Sequence, residues 1–245
     1  MVDDDRLDLT SYRRVVRLTV ASKNMHYSVM YIPPAFAETD LPTLIAFMER
    51  HPLAAVITAS ETGGLFATHL PLILDSAAPS PGILLGHLAR ANPHYRQIAG
   101  GVTEALVIFT GPNAYVTPQW YPSKQEHGRV VPTWNYVAVH AYGTVRLRDD
   151  PVFLRQHLEA LTSRHEASRD EPWHVSDAPV EFIAQQMKAI VGFEFQIARL
   201  EGKWKMSQNR SGVDIDGVIR GLGASDAEAD RAVAALVAKR RPDGR

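Results

Sequence analysis

The sequence predicts a mainly β, α+β fold: an antiparallel barrel or sandwich core with helices at its periphery. Three observations point there. About six short runs rich in branched and aromatic residues are separated by Gly/Pro turns, the pattern of an all-antiparallel core. Helical periodicity is confined to segments between and after those runs. No internal repeat interrupts the order, and 245 residues suffice to bury a sizeable core.

The elements follow in chain order. Residues 1–24 differ in texture from the rest, with an acidic start and a short β-like run at Val15–Val20, and are expected to form an extension. Met30 to Phe36 is extended. Asp40 caps a helix with Pro42 in its first turn and Leu44, Ile45, Phe47 and Met48 on one side; His51-Pro52 stops it. Strands are expected at Leu53–Ala59, Leu65–Leu74 and Ile83–Leu88. Asn92-Pro93 starts a short helix to Ile98. Two strands, Glu104–Phe109 and Asn113–Thr117, precede a long polar loop, Pro118–Pro132, and long loops inside compact domains are commonly functional. A long strand, Thr133–Arg148, comes next. Asp150-Pro151 opens one amphipathic helix and Pro179 a second, before a strand-like Gly192–Leu200. The chain closes with a short helix near Val213–Leu222 and an alanine-rich one from Asp226 to about Lys239. These readings divide the chain into an extension (1–24), a main domain (25–222) and a C-terminal helix with a basic tail (223–245).

Composition narrows the function classes. There are no cysteines, so disulfides, thiolate metal sites and cysteine nucleophiles are excluded. No apolar run reaches the roughly 18 residues of a membrane helix, and the acidic start lacks the marks of a secretory signal; a cytoplasmic location is expected. A formal net charge of −1 argues against the basic face that nucleic-acid binders display. The clusters Arg13, Arg14, Arg17 and Lys239, Arg240, Arg241 are short and terminal, and read as solvated ends. Walker-type, Gly-x-Gly-x-x-Gly, His-Glu-x-x-His and Gly-x-Ser-x-Gly motifs are missing. Histidines 69, 87, 94, 127 and 140 lack tight metal spacing, and no metal is expected; ligation of heme through one of them stays open.

Polar and aromatic residues crowd the middle of the chain. Five of ten histidines lie between His69 and His140, and five of twelve Trp and Tyr residues between Tyr115 and Tyr136. Groups that are costly to bury without partners, set beside flat rings, suit a pocket for a planar polar ligand. The Gly86–Asn92 segment runs from a strand end into a helix start, where Arg90 can grip phosphate in a two-point fashion; the same residues read equally well as a simple Asn92 cap beside a solvated arginine. His69 and His87, on successive expected strands, are catalytic candidates if they lie close together. In Lys203–Arg210, alternation puts Lys203, Lys205 and Ser207 on one side as a phosphate-facing row, or the stretch is a basic loop. Trp120, Tyr121, Trp134 and Tyr136 suit ring stacking, a core or a subunit contact.

Taken together these segments resemble the PaiB family of FMN-binding split-barrel proteins, often labelled negative transcriptional regulators. The resemblance covers about residues 30–222 and rests on six motifs in order: Tyr31-Ile32-Pro33, Ala67-Thr68-His69-Leu70-Pro71, Gly86-His87-Leu88-Ala89-Arg90-Ala91-Asn92-Pro93, Trp120-Tyr121-Pro122-Ser123-Lys124, Val131-Pro132-Thr133-Trp134-Asn135-Tyr136 and Lys205-Met206-Ser207-Gln208-Asn209-Arg210. It implies a six-stranded antiparallel Greek-key split barrel that dimerises, with FMN in each of two interface clefts. It further implies that Thr68 and His69 line the flavin and that Ala89, Arg90 and Asn92 hold the phosphate. Trp134, Asn135, Lys205, Ser207, Gln208 and Arg210 then close the site, with the partner chain as one source. Thr117 departs from the serine expected there.

The resulting expectation is a homodimeric FMN protein, a flavin-dependent oxidoreductase acting on a small molecule or electron donor. The alternatives are a PaiB-like regulator, for which the chain shows no helix-turn-helix and little positive charge, and a heme-binding or heme-degrading protein.

Overall fold

A computed structural model describes residues 30–60, 64–75 and 77–242. The expected extension, including the run at 15–20, lies outside the described residues. Among the described residues eight strands and seven α-helices follow in the order β1 (Ala37–Glu38), α1 (Leu41–Arg50), β2 (Leu53–Ala59), β3 (Leu65–Pro71), β4 (Ile73–Asp75), β5 (Ile83–Ala89), α2 (His94–Ile98), β6 (Thr103–Val116), α3 (Ser123–His127), β7 (Thr133–Arg148), α4 (Pro151–Glu166), α5 (Val180–Lys188), β8 (Ile190–Lys205), α6 (Gly212–Gly223) and α7 (Glu228–Lys239).

The strands form one antiparallel sheet in the order β3-β2-β6-β7-β8-β5-β4, with β1 added to β8. Its two ends are β3 and β4, yet only Leu72 separates them in the chain. A sheet whose opposite edges are one residue apart has to curl on itself, so the seven-strand path is a barrel. No backbone ladder joins β3 to β4 or β5 among the described residues, so the closure is split.

Strand number is corrected from six to eight. The run Leu65–Leu74 divides at Leu72, whose amide turns away to the carbonyl of Pro52 at 2.9 Å. The expected pair Glu104–Phe109 and Asn113–Thr117 is a single strand with a register shift between Thr110 and Asn113, where Gly111 and Pro112 interrupt the ladder. The last strand runs past Leu200 to Lys205, because Gly202 to Lys205 pair with β7. The expected loop Pro118–Pro132 holds a 3-10 turn (Pro118–Trp120) and α3, and the buried carboxylate of Asp214 on α6 accepts from the Ser123 amide (3.2 Å) and hydroxyl (2.8 Å).

One face of the sheet points inward. Val56, Val107 and Ala141 share a ladder row and are all buried, together with Phe109, Val139, Phe193 and Phe195. Gly86 is required there: a Cβ would sit 2.5 Å from the ring of Phe193. Helices α6 and α7 cover one end of this core through Ile215, Val218, Leu222, Val233 and Val237.

Candidate functional site

Strand alternation sorts the candidate residues by face. The outward face of the sheet carries the ladder row His69–Ala55–Ile108–His140–Glu201, and beside it Ala67–Ile57–Leu106–Tyr142–Arg199. Its centre is a smooth patch of alanine, isoleucine and leucine, half-buried, bordered by rings and charges. His69 is exposed at the edge of that patch. At the other border Tyr142 donates to Glu201 (3.1 Å), and the Arg199 guanidinium lies 3.9 Å over the Tyr142 ring.

Thr68 faces the other way. Its hydroxyl meets Nδ1 of His94 at 2.9 Å and accepts from the Asn92 amide at 3.2 Å, while Thr58 meets Nε2 of His94, also at 2.9 Å. Burial lowers the pKa of His94, so a neutral ring with both nitrogens occupied stitches β2 and β3 to the segment after β5. These side chains close the split that the backbone leaves open. His94 carried no signal in the sequence beyond its place after Asn92-Pro93. Asn92 itself accepts from the His94 amide at 2.9 Å, closing an Asx turn ahead of α2, whose N-cap is Pro93.

His69 and His87 are not brought together as neighbours on one ladder: β3 pairs with β2, whereas β5 pairs with β4 and β8. His87 instead contacts His157 of α4, Nδ1 to Nε2 at 3.0 Å, with Phe153 stacked on the second ring. Burial, then the neighbouring His87, pushes the His157 pKa down to about 4; burial alone lowers that of His87. His157 Nδ1 is buried and has no hydrogen-bond partner among the described residues.

Ala89 ends β5, and Arg90 follows it with its amide on the Ala189 carbonyl at 2.9 Å. The Arg90 guanidinium is engaged in two points by Asp149, a carboxylate occupying the fork in the manner of a phosphate. Asp149 was not a candidate, because fifty-nine residues separate the partners and only the β5–β8–β7 order unites them.

The remaining candidates gather at the far end of β7 and β8. Thr133, Asn135, Lys205, Ser207, Asn209 and Arg210 line a cleft of about 40 Å³. Asn135 is fully buried and donates to the Ser207 hydroxyl at 3.0 Å. Ser207 has φ 63°, a strained left-handed conformation for a residue with a Cβ. Lys205 donates to the Trp134 carbonyl at 2.7 Å and to the Thr133 hydroxyl. Burial, then the positive charges of Lys203 and Arg210, lowers its pKa. Arg210 stands 4.8 Å over the Tyr121 ring. Gln208 is occupied at both ends, accepting from the Met206 amide and donating to the Trp204 carbonyl, so it shapes the turn. Trp134 is half-exposed on the outward face, where Tyr115 packs edge-on and Asn113 accepts from its indole. The expected row Lys203–Lys205–Ser207 is broken: β8 ends at Lys205 and Ser207 turns inward onto Asn135.

A sequence profile described as "Putative FMN-binding domain" matches residues 30–199. The chain belongs to this FMN-binding family. FMN is the cofactor that membership assigns. A PaiB-like relative, the protease synthase and sporulation protein PAI 2 of Bacillus subtilis, is 33% identical over 79% of this chain and 89% of its own length. An uncharacterized protein of Emericella nidulans is 35% identical over 86% of this chain and 97% of its own. Among solved structures, the FAD and heme binding protein of Mycobacterium smegmatis aligns with TM-score 0.50 and 21% identity over 69% of this chain and 73% of its own. A conserved hypothetical protein of Mycobacterium tuberculosis aligns with TM-score 0.51 and 8% identity over 74% and 94%. At those identities the two structures speak for the fold alone.

The donor chemistry fits the cofactor. The cleft at the end of β8 offers two cations, two hydroxyls and two amides without a carboxylate, which suits an anion or the carbonyl edge of a flavin. The outward apolar patch, bordered by His69, His140 and Tyr142, suits a flat ring. Among the described residues no helix is long and apolar enough to cross a membrane.

Proposed function

We propose that the protein works as a homodimeric flavoprotein, with each FMN held between two copies and doing redox chemistry on a small molecule. One observation carries this reading. The two polar groups that suit the cofactor lie at opposite ends of β8: Arg90 beside Ala189 and Ile190, Arg210 beyond Lys205. The 16 residues of that strand extend over about 50 Å at ~3.3 Å per step, well beyond one mononucleotide. Two copies related by a twofold axis bring the Arg90 end of one to the Arg210 end of the other. The apolar outward face of β2, β6 and β7 is the surface such a pair buries.

In this arrangement Arg90, released from Asp149, and Asn92 grip the phosphate, while Thr68 and His94 hold the loop that carries them. Asn135, Lys205, Ser207 and Arg210 of the second copy bear on the polar edge, and Trp134 screens it from water. When bound, the flavin supplies hydride and electron transfer. The chain's own part is to orient the ring, exclude water and place a cation, Lys205, where negative charge develops.

The test is complementation. Arg90→Ala and Arg210→Ala proteins each lose flavin and bind as dimers; mixed by co-refolding, they form heterodimers with one intact cleft and one doubly broken. Flavin content then recovers toward half of the wild-type value among heterodimers. No recovery overturns the two-chain site. Anaerobic bleaching of the bound flavin by NADH or NADPH, with reoxidation by an added acceptor, tests the redox role, and a flavin inert to both counts against it.

A further inference from the structure

The outward face of the sheet carries a polar chain beside its apolar patch. His140 and Tyr142 lie two residues apart on β7 and share that face, and β8 sets Glu201 opposite His140 and Arg199 opposite Tyr142. Nδ1 of His140 is 3.2 Å from the Tyr142 hydroxyl, which donates to Glu201 at 3.1 Å, and Arg199 pairs with Glu201. Chemistry fixes the order of donors. A carboxylate only accepts and a phenol has one hydrogen, so that hydrogen belongs to Glu201. His140 then donates to the phenol from Nδ1, and a neutral imidazole with its proton on Nδ1 has a bare lone pair on Nε2. Burial, then the Lys203 ammonium, lowers the His140 pKa, so the ring is mainly neutral at pH 7. Nε2 makes no hydrogen bond among the described residues. The titratable and charged groups around the ring are Tyr142 on β7, Glu201, Arg199 and Lys203 on β8, and His69 at the far end of the ladder row.

We infer that Nε2 of His140 is the base of the proposed flavin site, and that the substrate it serves is an apolar alcohol, in its simplest form an aryl carbinol. The inference rests on the flavin reading and names its substrate class. A bare acceptor at the edge of an alanine, isoleucine and leucine surface calls for a hydrogen-bond donor on an apolar body; it repels a carboxylate or an ether oxygen. Arg199 and Lys203 against one Glu201 disfavour an ammonium donor, which leaves the hydroxyl. When the alcohol is oxidised its O–H and C–H bonds break and a C=O bond forms. The hydroxyl proton passes to Nε2, and the carbon's hydrogen leaves with the electron pair for the oxidised flavin. The imidazolium so formed donates through Tyr142 to Glu201, whose negative charge offsets it.

The experiment uses the flavin-loaded protein and benzyl alcohol, with benzyl methyl ether as the matched ligand that lacks the donor. Nitrogen NMR of the histidine rings at pH 7 finds His140, assigned by its loss in His140→Phe, protonated on Nδ1 and bare on Nε2; the opposite tautomer or an imidazolium overturns the inference. Benzyl alcohol perturbs the flavin spectrum and binds about fivefold more tightly than the ether, the worth of one neutral hydrogen bond, and His140→Phe erases the preference. Equal affinity for the two ligands in the wild type overturns it, as does displacement of flavin by the alcohol, which assigns Nε2 to the ring itself. Anaerobic bleaching by benzyl alcohol quickens as pH rises through the His140 titration and loses that dependence in His140→Phe. A profile shared by both proteins removes His140 as the base, and a flavin bleached by NADPH but not by benzyl alcohol removes the substrate class. The tautomer and the ligand preference are read without turnover, so their failure is distinct from that of a flavin inert to every reductant.

Discussion

Acid should unfold this protein through the His87–His157 pair. His157 titrates near 6.5 in an unfolded chain and at about 4 in the folded one, because it is buried under Phe153 with His87 3.0 Å away. Between those values the unfolded chain binds a proton that the folded chain refuses, so this contribution to stability is whole above pH 6.5 and shrinks as pH falls toward 4. At 1.36 kcal/mol per pH unit the full loss is about 3 kcal/mol, of which about 2 kcal/mol has gone by pH 5. The perturbation is His157→Phe, which keeps an aromatic ring against Phe153 and removes the titrating group. It leaves His87 Nδ1 without its partner, a cost that applies at both pH values. Urea unfolding followed by tryptophan fluorescence, at pH 7 and pH 5 and at fixed protein concentration, gives four stabilities. Their double difference cancels the distant depressed histidines, His51, His94 and His140, and reports the coupled His87–His157 pair. The wild type loses about 2 kcal/mol more than the variant between the two pH values. An identical pH 7 to pH 5 loss in both proteins refutes the reasoning.

Other expectations follow from single contacts. Asp149→Asn removes the carboxylate that occupies the Arg90 fork, so FMN binds more tightly, by a few-fold, in fluorescence-quenching titrations; weaker binding shows that Asp149 positions Arg90 instead of competing for it. Gly217→Ala lowers stability by about 1–3 kcal/mol, because its Cβ would lie 1.9 Å from the Trp120 carbonyl oxygen and the 118–120 turn has to move; thermal unfolding measures it. Asn135→Ala leaves the buried Ser207 hydroxyl without its donor and costs about 1–3 kcal/mol, with flavin loss measured in the same preparation by visible absorption.

Much of the fold was legible because local rules sufficed. Asp40 does cap α1 through the Thr43 amide, Asp150 does cap α4, and β2 runs from Leu53 to Ala59 as its apolar run predicts. The failures share a cause. Glu104–Phe109 and Asn113–Thr117 look like two strands because Gly and Pro sit between them, but the long partner β7 holds both halves in one ladder across the bulge. The helix that Pro179 opens has Ile183, Met187 and Ile190 at helical spacing, yet α5 ends at Lys188, since Ile190 pairs with Ala89 in the sheet. Tertiary pairing overrode the local pattern in each case.

The candidate site divides in the same way. The order of six motifs, through the family resemblance it carries, was enough to expect a flavin cofactor, because the residue types that grip phosphate and flank rings are written in the chain whatever its path. Which of those residues face one another was decided only by folding. Thr68 and His69 are adjacent in sequence yet lie on opposite faces, and Arg90 meets a carboxylate fifty-nine residues away. Contacts between distant segments depend on strand order and curl, and a sheet whose edges meet across Leu72 sets both at once.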